Sequence, residues 1–297
     1  MSVRLEMLQV ARLAPRLLGD SADLVRQFFT GQQNDDGGFK NRSGLSDLYY
    51  TVFGIEGLLA LQAPLPVPKL EAYLRQFGAG EELDFVHLCC LARCRAALAG
   101  KGSDDIPLVW KEELLGRIEK FRSVDGGYGM TTSSSSGTAY NCFLAVAAYQ
   151  DLGSAPPDVG GVAQCLKFLE TSDGAWANER NVKPGATNAT AAAVTLLRQL
   201  SLPVASVVGD WLLDRSHGAG GFLAGPTAPL PDLLSTATAL HALAGLERSF
   251  AHLKEPCLDF IDTLWTNEGA FHGHWGDEML DCEYTYYGLL ALGHLSL

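Results

Sequence analysis

The sequence predicts an all-α fold, an (α/α)6 barrel (toroid) of six helix-pair repeats. Three observations predict it. First, a glycine turn recurs, as Asp36-Gly37-Gly38-Phe39, Asp125-Gly126-Gly127-Tyr128, Asp173-Gly174-Ala175-Trp176, Gly220-Gly221-Phe222 and Glu268-Gly269-Ala270-Phe271. Second, after the first gap these turns lie about 46 to 49 residues apart, a period that marks a repeat architecture. The first gap is about twice as long, so a degenerate repeat is expected near Phe77-Gly78-Ala79-Gly80. Third, each turn is followed by a polar loop and then an apolar segment rich in Ala, Gly and Leu, and these segments align. Tyr50-Thr51-Val52-Phe53-Gly54 lies over Tyr284-Thr285-Tyr286-Tyr287-Gly288, and Ser235-Thr236-Ala237-Thr238-Ala239 fits the same register.

Within each repeat an outer helix, such as 22–30 or 162–170, leads into the turn. Glycine supplies the positive φ that a tight exit from a helix needs. The aromatic after the glycines is expected to fold back as a plug. Gly54, Gly57, Ala239, Ala242, Gly288 and Ala291 let helices approach closely, so the second helices belong inside the ring. An open solenoid is the alternative; a count that reaches six and stops favours closure. Inner helices are expected to start near Asp47, Asp84, Gly137, Thr187, Asp232 and Asp281.

The chain has 297 residues, 47% hydrophobic and 19% charged, enough for a large core. It reads as one domain over 1–297, with an N-terminal helix in 1–20 ending at Gly19 and six repeats in 21–297. Arg and Glu interrupt that first helix, so it is no signal peptide. No apolar stretch reaches the roughly 18–20 residues of a membrane span. The net charge is −12 with no basic stripe, which argues against nucleic acid. Seven cysteines, Cys89, Cys90, Cys94, Cys142, Cys165, Cys257 and Cys282, mostly sit in apolar helical runs. That pattern reads as reduced thiols and a cytoplasmic setting.

Gln33-Asn34-Asp35-Asp36-Gly37-Gly38-Phe39 resembles the Gln-x-x-Asp-Gly-Gly-Trp motif of squalene cyclases. Asp47-Leu48-Tyr49-Tyr50-Thr51 and Asp281-Cys282-Glu283-Tyr284-Thr285 resemble the Asp-x-x-(His/Tyr)-Thr inner-helix start of protein prenyltransferase β-subunits. The resemblance covers about residues 22–297. It implies the toroid, and it implies a zinc ion held by an Asp, a Cys two residues on, and a His in the next repeat, with the metal activating an acceptor thiolate. Here Asp232 keeps the Asp, but Leu234 and Tyr284 stand where the Cys and His belong. The basic residues that the family places ahead of that Asp are absent from the stretch 225–231. A relocated site, for zinc or magnesium, would draw on Asp281, Cys282, His272 and His274. The resemblance also implies a helical partner protein if the acceptor is a protein.

Asp47, Asp84, Asp232 and Asp281 begin inner helices, where Asp is a good N-cap. The same four would form an acidic ring able to hold a divalent cation, and His87 follows Asp84 in the family's His register. The cyclase acid motif Asp-x-Asp-Asp is absent, and Ser103-Asp104-Asp105 falls in a loop. A cyclase would use Asp281 or Glu283 with a raised pKa, and Tyr284 completes the candidate catalytic group. Tyr49, Tyr50, Phe53, Phe85, Tyr140, Phe143, Tyr286 and Tyr287 also lie on inner helices. Aromatic walls suit isoprenoid chains and carbocations; ordinary core packing explains part of them. Tyr50, Phe53, Tyr287 and Tyr140 are therefore the expected substrate wall, opposite small residues in 189–193 and 235–239. Arg180 and Lys183, with Lys40 and Arg42, are the basic residues expected to meet a diphosphate at the mouth. Three readings stay open: a transferase acting on an isoprenyl diphosphate, a non-catalytic isoprenoid-binding or protein-interaction toroid, and a cyclase.

Overall fold

The computed structural model describes residues 2–101 and 106–297. Ser103-Asp104-Asp105, expected from the sequence to form a loop, lie outside the described residues. The chain opens with α1 (Val3–Ala11) and α2 (Pro15–Leu18). Outer and inner helices then alternate: α3 (Ala22–Gly31), α4 (Leu48–Ala60), α5 (Val67–Arg75), α6 (Phe85–Leu98), α7 (Leu108–Glu119), α8 (Ala139–Asp151), α9 (Val159–Leu169), α10 (Thr187–Gln199), α11 (Val207–Leu213), α12 (Leu233–Gly245), α13 (Lys254–Leu264) and α14 (Cys282–Leu295). The even members from α4 pack in cyclic order, and α14 packs on α4. The ring is closed. Among the described residues, no helix is long and apolar enough to cross a membrane.

The inner helices start where the repeat alignment places them. Asp47, Asp84, Asp232 and Asp281 are N-caps whose carboxylates accept backbone N–H groups of the first turn. This satisfies donors that a helix start otherwise leaves open. Thr138 caps α8, one residue beyond Gly137.

The aromatic plugs are real, and their seating explains the small residues. Phe39, Tyr128, Trp176, Phe222 and Phe271 are buried. A Cβ on Gly54 would lie 2.1 Å from the Phe39 ring, and one on Gly288 2.5 Å from Phe271. The same register, seven residues past each cap, holds Ala145, Ala193 and Ala239. In the second repeat, which has no plug aromatic, that position is the buried Leu91. A hydroxyl ties plug to helix: the N–H groups of Phe39, Trp176 and Phe222 donate to Thr51, Thr190 and Thr236 Oγ1 at 2.9, 3.1 and 2.9 Å. Thr51 and Thr236 in turn donate to the carbonyls of Asp47 and Asp232. Cys142 takes that place in the third repeat, with its Sγ 3.9 Å from that of Cys165.

The N-terminal segment departs from the expected single helix. It breaks after Ala11 and restarts at Pro15, whose missing N–H suits a helix start but not a helix interior. Nor does α1 join the outer layer. It lies across the C-terminal ends of the inner helices: Val3 N–H donates to Gln150 Oε1 at 2.9 Å, and Glu6 accepts from Arg198 at 3.1 Å and Gln199 at 2.7 Å. Gly293 permits the contact, since a Cβ there would lie 2.1 Å from the Val10 carbonyl oxygen. One end of the ring is thus floored, and the end at the inner-helix N-termini is the mouth.

Candidate functional site

Six inner helices at ordinary helix spacing leave an axial space that alanine and threonine cannot fill. That space is a cavity of about 340 Å³, at the lower end of the roughly 300–1,000 Å³ range of small-molecule pockets. Ala191, Ala192, Thr195 and Thr238, from α10 and α12, form its small wall, and Asn188 accepts from the Thr238 hydroxyl at 2.9 Å. Tyr49, Tyr140, Phe143 and Tyr287, from α4, α8 and α14, form the aromatic wall. Tyr140 is 37% open although it stands inside the ring, because that surface faces the cavity. Leu234 and Glu283 stand at the mouth end, and Met7 of α1 at the floor. A recess of about 60 Å³ adjoins the aromatic side, sharing Met7, Tyr49, Tyr140, Phe143 and Tyr287 and adding Phe53, Arg4, Glu56, Arg93 and Tyr286.

Among the described residues, Glu283 is the one carboxyl in the lining of the larger chamber. It sits in the first turn of α14, and burial raises its pKa to about 7. The Tyr49 hydroxyl donates to its Oε1 at 2.6 Å, which favours the carboxylate but does not outweigh the lost solvation. Near neutral pH the group is therefore shared between an acid that can give a proton and a carboxylate that can take one. The neighbouring Tyr49 and Tyr287 hydroxyls are driven upward by burial and stay protonated.

The structure brings together Glu283, Tyr140 and Tyr287, and places the other expected residues elsewhere. Phe53 lines the floor recess. Tyr50 lies outside both linings, beside Arg42, with its phenol pushed up to about 12 by burial. Tyr284 also lies outside them: the Arg42 guanidinium sits 5.4 Å from its ring centre. Asp281 Oδ1 accepts the Tyr284 N–H and Oδ2 accepts from Arg42 Nε at 2.8 Å, so both oxygens are engaged.

Three of the four expected diphosphate cations are engaged too. Arg42 also pairs with Asp277 at 2.9 Å. Arg180 pairs with Asp125 at 2.8 Å and covers the Phe168 ring, away from the cavity lining. Lys40 donates to the Gly31 carbonyl, and Lys183 is exposed. His87, raised to about 9 by its hydrogen bond to Asp47 and its pairing with Asp84, is likewise held between acids.

The relocated metal set does not assemble. Cys282 is buried, its thiol pushed well up by desolvation. His272 Nδ1 faces the Met279 carbonyl at 3.3 Å, and His274 Nδ1 accepts the Gly276 N–H at 3.0 Å. Among the described residues, no three His, Cys, Asp or Glu side chains gather as metal ligands. The zinc implied by the resemblance does not fit either: both Asp232 oxygens are taken by Ser235, and Leu234 is apolar. The physical reason is shared. An acid at a helix start is consumed by capping, and adjacent helix residues point about 100° apart.

Sequence reasoning missed Met7, Asn188 and His241, all of which line the chamber, and the charged floor. The legible signal was charge inside apolar inner helices: Glu56 within 48–60 and Arg93 within 85–98.

A family model for the prenyltransferase alpha-alpha toroid domain matches residues 7–83, 71–188 and 162–296. The chain belongs to that family. Comparison with curated protein sequences finds no match. Among solved structures the toroid is similar to the type II terpene cyclase MstE from Scytonema, at 12% identity and a TM-score of 0.60, covering 94% of this chain and 97% of that one. It is similar to a protein from Actinoplanes at 15% identity and a TM-score of 0.61, covering 93% and 98%. It is also similar to Candida albicans protein geranylgeranyltransferase-I complexed with GGPP, at 14% identity and a TM-score of 0.53, covering 98% and 82%. At these identities the likeness establishes the fold.

Proposed function

We propose that this toroid binds an isoprenoid chain in its axial cavity and that Glu283 protonates an alkene of that chain, starting a carbocation rearrangement or cyclisation. The observation that carries the reading is a buried carboxyl with a pKa raised to about 7, held by Tyr49 at the edge of a cavity with one aromatic wall. In the first step the alkene's π electrons form a new C–H bond with the Glu283 proton, leaving a carbocation and a carboxylate. The faces of Tyr49, Tyr140, Phe143 and Tyr287 stabilise the cation. An internal alkene attacks it; the product then loses a proton to solvent and Glu283 is reprotonated, so the net reaction is an isomerisation. The type II terpene cyclase neighbour, solved with geranylgeranyl dihydroxybenzoate as substrate, and the GGPP complex both support an isoprenoid in this kind of cavity.

Transfer from an isoprenyl diphosphate fits less well, because Arg42 and Arg180 are neutralised by the protein's own acids. Transfer to a protein would add a helical partner; protonation needs none. We place the protein in the cytoplasm on its seven free cysteines. The deciding experiment is incubation of the purified protein with linear terpene alcohols and polyenes in deuterium oxide. One deuterium per product molecule in wild type, and none with Glu283→Gln, is expected. Turnover of a diphosphate with release of pyrophosphate and no deuterium uptake would instead establish transfer.

A further inference from the structure

We propose that the floor recess is a second recognition subsite, which takes a neutral hydroxyl at the inner end of the ligand by donating to it from Arg93 and accepting from it at Glu56. The argument begins with charges where water is scarce. Arg4 of α1 pairs with Glu56 of α4 at 2.5 Å, and Arg93 of α6 pairs with Asp151 of α8 at 3.1 Å. Their side chains are 10%, 4%, 16% and 1% exposed respectively. Buried ions need nearly every hydrogen-bonding position filled. Here Glu56 Oε2, Arg93 Nη2 and Asp151 Oδ1 have no partner among the described residues.

Two of those atoms belong to residues that line the recess, Glu56 and Arg93, so an unpartnered acceptor and an unpartnered donor are held in or behind its wall. Two cations and two anions balance, so nothing there selects a charged head group. A group that accepts one hydrogen bond and gives one does fit, and an alcohol is that group. The volume of about 60 Å³ admits a hydroxyl-bearing carbon or a few waters, not a ring. Met7, Tyr49, Tyr140, Phe143 and Tyr287 border both the recess and the main chamber, so the two spaces adjoin and these side chains stand between them. The ligand class is thus a linear terpenoid carrying a terminal alcohol, with its alkenes along the main chamber toward Glu283.

The inference rests on the isoprenoid reading only in needing an apolar chain in the main chamber, and the test separates the two. Dissociation constants are measured for farnesol, its methyl ether and farnesene, on wild type and on Arg93→Lys. The Lys keeps a cation for Asp151 but removes the guanidinium donor. The expected result is farnesol binding about tenfold tighter than farnesene and than the ether, which cannot donate to Glu56. Arg93→Lys should erase that advantage and leave farnesene unchanged. Equal affinities for alcohol and hydrocarbon in wild type overturn the subsite, with the recess then holding water only, while the isoprenoid reading stands. If no probe binds saturably, the isoprenoid reading falls and the subsite with it. The comparison of alcohol with ether in wild type decides the matter even if Arg93→Lys fails to fold.

Discussion

The Tyr49 hydroxyl donates to Glu283 Oε1 at 2.6 Å, joining the first inner helix to the last. This hydrogen bond crosses the seam of the ring and opposes the burial that raises the pKa of the cavity's carboxyl. Removing it with Tyr49→Phe takes away a contact that favours the carboxylate, so the Glu283 pKa should rise further above 7. Carboxyl infrared titration, with Glu283→Gln as the blank, measures it. An unchanged or lower pKa would contradict the assigned role of Tyr49.

Glu283 also makes stability depend on pH with a definite sign. Its folded pKa, about 7, lies above the ordinary 4.5. Between those values the unfolded chain has released the proton and the folded chain still holds it, so stability falls as pH rises from about 4.5 to 7 and levels off above. The total is on the order of 3 kcal/mol. Glu283→Gln should remove this slope from denaturant melts run across that window. Catalysis that needs the acid form should likewise decline about tenfold per pH unit above 7.

Blocking the chamber should separate binding from folding. Ala192 is on its small wall, where the space is open. Ala192→Phe is expected to abolish binding of a fluorescent isoprenoid while the thermal midpoint moves by no more than a few degrees. Retained affinity would mean that the ligand sits elsewhere.

The floor helix should be sensitive to one methyl group. A Cβ at Gly293 meets the Val10 carbonyl, a backbone atom that cannot swing aside. Gly293→Ala should cost about 1–3 kcal/mol by chemical denaturation and raise amide exchange across 3–11. No change in either would show that α1 does not depend on this contact.

The Thr hydroxyl beneath Phe39, Trp176 and Phe222 should matter for stability and not for chemistry. Thr236→Val keeps the shape but leaves the Phe222 N–H without its acceptor, a loss of about 1–3 kcal/mol. Urea melts should show it, with ligand affinity unaltered.

The sequence by itself determined the ring: its repeat count, the cap positions and the plug aromatics. These depend on local rules, an Asp at a helix start and a Gly or Ala where a ring must seat, and they repeat with a period that can be read directly. It also named Glu283, Tyr140 and Tyr287, because inner-helix position is legible once the register is known. Only the tertiary structure decided which charges are spent and which space is left. Arg42 meets Asp281 across 239 residues and Arg180 meets Asp125 across 55, so neither local composition nor period reveals that these cations are already neutralised. The same holds for α1. Its sequence predicts a helix in 1–20 ending at Gly19, but the place of Val3–Ala11 across the floor, where Arg4 reaches Glu56 and Gln199 reaches Glu6, follows from complementarity between surfaces that come together only when the ring has closed.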